Sequence, residues 1–187
     1  DLQFAIYYYQ KAIEMDPKFA DSFSNLGSIF NKNGQYEEAI ECYQTALKLD
    51  RCHRAACNGL GRIMAKKGEK KSAIGFFKRA LSIDPTCADT YSNLGDLFSL
   101  KATIRGAIKC YHKAVTLEPM HAHARSQKLH LQAHICDWEG LESERHLVAS
   151  IGTSGTESSP FSMLTLEDNP RRQSLRASVF TNNKIKS

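Results

Sequence analysis

The chain has 187 residues, 42% of them apolar and 24% charged, which is enough to bury a core and excludes wholesale disorder or a collagen-like class. No run approaches the roughly 18 uninterrupted apolar residues of a spanning helix, and no apolar signal segment precedes a cleavage site, so a soluble, cytoplasmic chain is expected. The net charge of +5 is local, because residues 54–87 carry eight Lys and Arg against only Glu69 and Asp84, and this single basic segment does not make a nucleic-acid-binding protein.

Residues 1–16 read as a helix with Ala5, Ile6, Tyr9 and Ala12 at its small and apolar positions, and the same residue types recur down the chain. From Ala20 the pattern has a period of 34, returning at Arg54, Ala88 and Ala122. With Ala20 as position 1, Leu26, Leu60 and Leu94 hold position 7 and Gly27, Gly61 and Gly95 hold position 8. Ala39, Ala73 and Ala107 hold position 20, Tyr43, Phe77 and Tyr111 position 24, and Ala46, Ala80 and Ala114 position 27. Small residues at positions 8 and 20 let two antiparallel helices approach, while large ones at 4, 7 and 11 (Phe23, Leu26 and Phe30 in the first copy) fill the gap between them. Asp16-Pro17, Asp84-Pro85 and Glu118-Pro119 stop the second helix of each unit; Arg51 alone breaks the Pro column.

The fold expected is therefore an all-α, right-handed superhelical solenoid of helix–turn–helix repeats. Its divisions are a half-repeat at 1–19, three full repeats at 20–121, variant capping helices at 122–149, and a linker with the start of a further region at 150–187. The lone helix of residues 1–16 lacks a partner for its apolar face, so more repeats are expected upstream. Lys128 and Leu129 stand where Leu and Gly are due, which marks the variant end. Residues 150–159 are Gly/Ser/Thr-rich, Pro160 to Leu164 form a short apolar segment, and Asn169-Pro170 opens another helix. The six cysteines form no CxxC pair; four of them replace apolar or small residues in the helical patterns, and buried free thiols in a reducing cytosol are expected.

The aligned Leu-Gly, Ala, aromatic, Ala and Pro columns over residues 1–121 resemble the tetratricopeptide repeat. The string Ile135-Cys136-Asp137-Trp138-Glu139-Gly140-Leu141, succeeded by Ser159 to Leu164 and Asp168-Asn169-Pro170, resembles the junction between repeats and catalytic region in O-linked N-acetylglucosamine transferase and SPINDLY-type glycosyltransferases. That resemblance implies a parent enzyme whose repeats hold protein substrates while a downstream domain uses a UDP-sugar donor. No catalytic or cofactor-binding residue is assigned in this chain, because no Gly-rich strand–loop–helix cradle occurs in it. In the same family an Asn at position 6 contacts the backbone of an extended peptide on the concave surface; Asn25 and Asn93 match that position, Gly59 interrupts it, and Asn58 stands beside the interruption.

The leading function expected is the substrate-recognition part of a protein O-glycosyltransferase; the alternative is a free-standing tetratricopeptide adaptor. Either takes extended polypeptides as partners, not nucleic acid or membrane. His130 and His134 are four apart on a helix with Cys136 and Asp137 near, but the ligand spacing is not that of a metal site and none is assigned. Lys66, Lys67, Lys70 and Lys71 fall at a turn and read as a solvated edge, and Arg171-Arg172-Gln173-Ser174 as an incidental phosphorylation match.

Overall fold

Each repeat folds as a helical hairpin because its turn leaves the backbone one inexpensive route. After α2 (Ala20–Lys32), Gly34 has φ 80°, its N–H bonds the Asn31 carbonyl (3.3 Å), and the Gln35 N–H reaches back to Phe30 O (2.9 Å). After α4 (Arg54–Lys66), Gly68 repeats the geometry, with φ 80° and the Glu69 N–H on Met64 O at 2.9 Å. Paired bonds of this kind close a helix through a left-handed residue, which glycine occupies without steric cost. The hairpins are completed by α3 (Tyr36–Leu49) and α5 (Lys70–Ile83).

The computed structural model describes residues 2–99, 103–137 and 139–140, together with Arg171, Ser174, Ala177 and Ser178. Every regular element among the described residues is helical, so the structure is all-α and built of repeated hairpins, the repeat-solenoid class expected from the 34-residue period. The remaining helices are α1 (Leu2–Met15), α6 (Ala88–Ser99), α7 (Ile104–Leu117) and α8 (Ala122–His134). None of the described helices is long and apolar enough to cross a membrane. The chain divides into two units, Asp1–Thr90 and Tyr91–Ser187.

In the first unit α2 packs on α1 and α3, and α4 on α3 and α5. The core gathers Ala39, Tyr43, Ala46, Ala56, Leu60 and Ile63, all buried, with Phe23, Phe30 and Met64 packed against them. Burying a side chain such as Leu60 contributes about 1.5–3 kcal/mol. The position-31 acids are more than helix stops. Asp16 Oδ1 accepts from Lys18 N (3.0 Å), Asp50 Oδ1 from Cys52 N (2.8 Å) and Asp84 Oδ1 from Thr86 N (2.9 Å), each folding the chain toward the next repeat. This turn is made by the carboxylate, so the chain tolerates Arg51 where the other repeats have Pro. The next helix is then capped by position 34: His53 Nδ1 accepts from Ala56 N at 3.2 Å. At the open side of α1, Phe4, Tyr8 and Met15 are exposed.

In the second unit α7 carries Tyr111 against Gly95 of α6, and α8 packs on α7. His121 repeats the cap of His53, its Nδ1 accepting from Ala124 N at 3.2 Å. The period persists through the end of α8. Cys136 stands 34 residues beyond position 102 and two periods beyond Gly68, and it has φ 57° with the Asp137 N–H on Gln132 O at 2.9 Å. Asp137 Oδ1 in turn accepts from Gly140 N (3.2 Å), capping the next helical turn. Leu129 takes the place of the position-8 glycine and is fully buried.

The cysteines depart from expectation. All six are free, but only Cys57 and Cys87 are buried, while Cys52 and Cys136 are exposed because each sits in a turn, not on a helix stripe. The linker at 150–159 and the Pro160–Leu164 segment lie outside the described residues. Of the helix expected after Asn169-Pro170, Arg171, Ser174, Ala177 and Ser178 are helical, and the rest lies outside the described residues.

Candidate peptide-binding site

Helix α2 presents Asp21, Asn25 and Ser28 on one face, since residues three and four apart share a side of a helix. Asn25 is exposed and its amide has no side-chain partner among the described residues. Asp21 is engaged: its Oδ1 lies 3.1 Å from His53 Nε2. Because His53 Nδ1 already accepts from the Ala56 N–H, the ring proton sits on Nε2 and donates to Asp21. One side chain thus caps α4 and ties it to the first turn of α2.

On α4 the matching position is Gly59, and the structure explains the missing amide. A Cβ at Gly59 would lie 2.3 Å from Cζ of Tyr43, a buried ring that also lies against Gly27 of its own repeat. Tyr43 is therefore seated between two glycines, one on α2 and one on α4. The amide of Asn58 is half-buried one residue round the helix. The Tyr43 hydroxyl reaches Ser28 and Asn31 by hydrogen bonds; burial pushes its pKa up, against the opposing pull of those bonds and of the Arg62 cation. Arg62 is exposed on α4, and Lys66 is held by Asn31 Oδ1 (3.5 Å) and by the Tyr36 ring, 5.1 Å from its centroid. The face runs from acidic at Asp21 through the Asn25 amide to basic at Arg62.

In the second unit Asn93 is half-buried on α6. One turn later Asp96 Oδ1 accepts from Tyr111 Oη (2.6 Å) and lies 2.9 Å from His123 Nε2. Burial, then the Asp96 charge, raise the Tyr111 pKa well above the usual phenol range. Sequence reasoning did not single out this cluster or the His53–Asp21 link. The signal for His53 was present as a second His, His121, at the same place in the period.

The lysine turn is less uniformly solvated than its sequence suggests. Lys67 Nζ pairs with Glu37 Oε1 at 2.8 Å, a bond that holds the Glu37 carboxyl below its usual range, and Lys66 is engaged as above. Among the described residues no group of three or more His, Cys, Asp or Glu is placed to hold a metal. Asp137 beside His134 is turned instead to Gln132 Nε2 (3.0 Å) and the Gly140 N–H.

The tetratricopeptide repeat family model matches residues 20–51 and again 54–87. A search of curated proteins finds no match. Among solved structures the chain is similar to MamA, with 26% identity and TM-score 0.59 over 77% of this chain and 76% of that one. It is similar to a MamA from Desulfovibrio magneticus RS-1, with 19% identity and TM-score 0.64 over 80% and 85%. It is also similar to YrrB, described as a TPR protein with an unusual peptide-binding site, with 20% identity and TM-score 0.65 over 95% and 94%. The chain thus holds two tetratricopeptide repeats and shares the fold of repeat proteins.

Proposed function

We propose that this chain is a protein-interaction scaffold that holds an extended polypeptide along the first helices of its repeats. The observation that carries the reading is Asn25, an exposed amide on α2 with no side-chain partner among the described residues, set between Asp21 and Ser28. A primary amide donates and accepts at once, so it can pair with a peptide group of any sequence. Asn93 takes the same role in the second unit, and Asn58 stands in where Gly59 has none. The likeness to YrrB supports a peptide as the class of ligand. Replacing Asn25 and Asn93 together by Ala should weaken binding of an extended peptide by about 1–2 kcal/mol without lowering the unfolding temperature. Unchanged affinity in titration calorimetry sinks the amide ladder.

The finer reading, that the scaffold is the recognition arm of a protein O-glycosyltransferase using a UDP-sugar, is supported only by the sequence resemblance of the string at 135–141 and the segments 159–164 and 168–170 that succeed it. Cys136 and Asp137 have local duties there, ending α8 and capping the next turn, and such duties arise in an unrelated repeat protein just as well. No described loop leads from a strand into a helix to cradle a diphosphate. The matched family and structures bring no link to a glycosyltransferase, and the adaptor reading accounts for them directly. Reading the parent frame beyond Ser187 separates the two: a pair of nucleotide-binding halves supports the transferase, and a stop codon overturns it. A reducing compartment, the cytoplasm on our reading, suits six unpaired cysteines.

A further inference from the structure

The second helices of the two repeats in the first unit flank an open surface groove of about 620 Å³ that the amide face does not use. Its floor is Leu60 of α4, buried in the core. Its walls are Leu47 of α3 and Phe76 of α5, both part-exposed, and its rim is Lys48, Arg51 and Arg79. No carboxylate lines it. The nearest acid in sequence, Asp50, is turned to the Cys52 N–H. Lys48 and the Arg51 side chain have no acidic partner among the described residues. Arg79 is set in place by donating from Nη2 to the Arg51 carbonyl at 2.7 Å, a bond that leaves further guanidinium N–H groups to offer. Spacing explains the arrangement: Leu47 and Lys48 stand three and four residues after Gln44, which also lines the groove from α3, and Phe76 and Arg79 are three apart on α5, so each helix brings an apolar side chain and a cation to the same side.

An apolar slot rimmed by three cations fits a ligand that is apolar in the middle and acidic at its flanks. We propose that the groove between α3 and α5 docks a partner-protein segment in which one large apolar side chain is flanked by carboxylates. The apolar side chain enters between Leu47 and Phe76 onto Leu60, and the carboxylates meet Lys48, Arg51 and Arg79. This surface is separate from the Asn25 face, since it is built by the second helices and not the first, and it stands whether or not the amide reading does.

The probe is a short fluorescent peptide with a central Leu-Phe pair flanked on each side by two Glu, compared with the same peptide carrying Gln for every Glu. The full chain should bind the Glu peptide with a dissociation constant that rises with salt, and bind the Gln peptide roughly tenfold more weakly, the sum of two or three exposed ion pairs. Lys48→Glu with Arg51→Glu, two exposed positions whose side chains make no bond among the described residues, should abolish the preference and leave the unfolding temperature in place. Amide shifts on titration should centre on α3 and α5. The proposal is overturned by equal affinity for the two peptides, by a preference that survives the charge reversal, or by shifts centred on Asn25 of α2. Self-association of the chain that occupies the groove to the exclusion of the peptide overturns it as well.

Discussion

Tyr43 and Gly59 occupy one another's space: a Cβ on Gly59 of α4 would come within 2.3 Å of Cζ of the Tyr43 ring on α3. The absence of a side chain at position 59 is therefore a packing requirement of the preceding repeat. Gly59→Ala is expected to destabilise the chain by about 1–3 kcal/mol in urea unfolding, because the buried ring has to move from a filled core. Gly59→Asn, which completes the ladder in sequence, is expected to lose stability and gain no peptide affinity. A helical glycine without a close neighbour provides the contrast. Gly75 on α5 has nothing within 4 Å of its would-be Cβ, and Gly75→Ala is expected to stabilise by about 0.5–1 kcal/mol through helix propensity alone.

Cys136 holds φ 57° at the point in the period where Gly34 and Gly68 sit. A side chain in the left-handed region costs on the order of 1 kcal/mol, so Cys136→Gly is expected to raise the stability of the second unit by about that amount. A thermal melt that shows no gain, or a loss, counts against the reading of this turn as the repeat's own.

His53 caps α4 and bonds Asp21 across to α2. His53→Ala is expected to cost about 1–2 kcal/mol, the usual range for losing an N-cap, and His53→Asn to recover most of it by accepting the same N–H. Equal losses in the two variants would place the role of His53 in its ring packing.

An alkaline limb in the stability curve is expected from thiols whose partial or full burial favours the neutral form. Burial, then the charges of Glu41 and Glu38, push the Cys42 thiol up to about 11, and burial likewise raises Cys57 and Cys110. A folded value above the unfolded one contributes stability that is present below the unfolded value of 9.0 and is lost as pH climbs toward 11. Unfolding free energy should accordingly be flat below about pH 8 for these groups and fall above about pH 9. Cys42→Ala should shallow the fall. At neutral pH a thiol reagent should label the exposed Cys52 and Cys136 well before Cys42 and Cys57; prompt labelling of all six would show a looser core.

The hairpins were legible because their signals are local. The apolar period, the small residues at positions 8 and 20 and the acid–Pro stop all act within one 34-residue copy, so a reader of the sequence meets them side by side, whereas the left-handed turns at Gly34 and Gly68 and the carboxylate turn at each helix end came from the structure. Asn25 became a candidate through the family resemblance, which implies an Asn at position 6 on the concave surface. The roles of Gly59 and of His53 were not legible, since each answers to a side chain in the preceding repeat, Tyr43 in one case and Asp21 in the other. Cysteine exposure escaped too: a stripe argument covers Cys57, but Cys52 and Cys136 belong to turns whose orientation no periodicity records.

Helix content, hairpin boundaries and the repeat class come from the linear chain, because backbone hydrogen bonding and turn chemistry are settled over a few residues. How one hairpin seats on the next is settled by packing: a ring inserted between two glycines, and a slot left open where Leu47 and Phe76 stand over Leu60. Those contacts join residues 13 apart or more, across helices whose offset depends on every side chain between them, and they are what turn a repeated pattern into two particular surfaces.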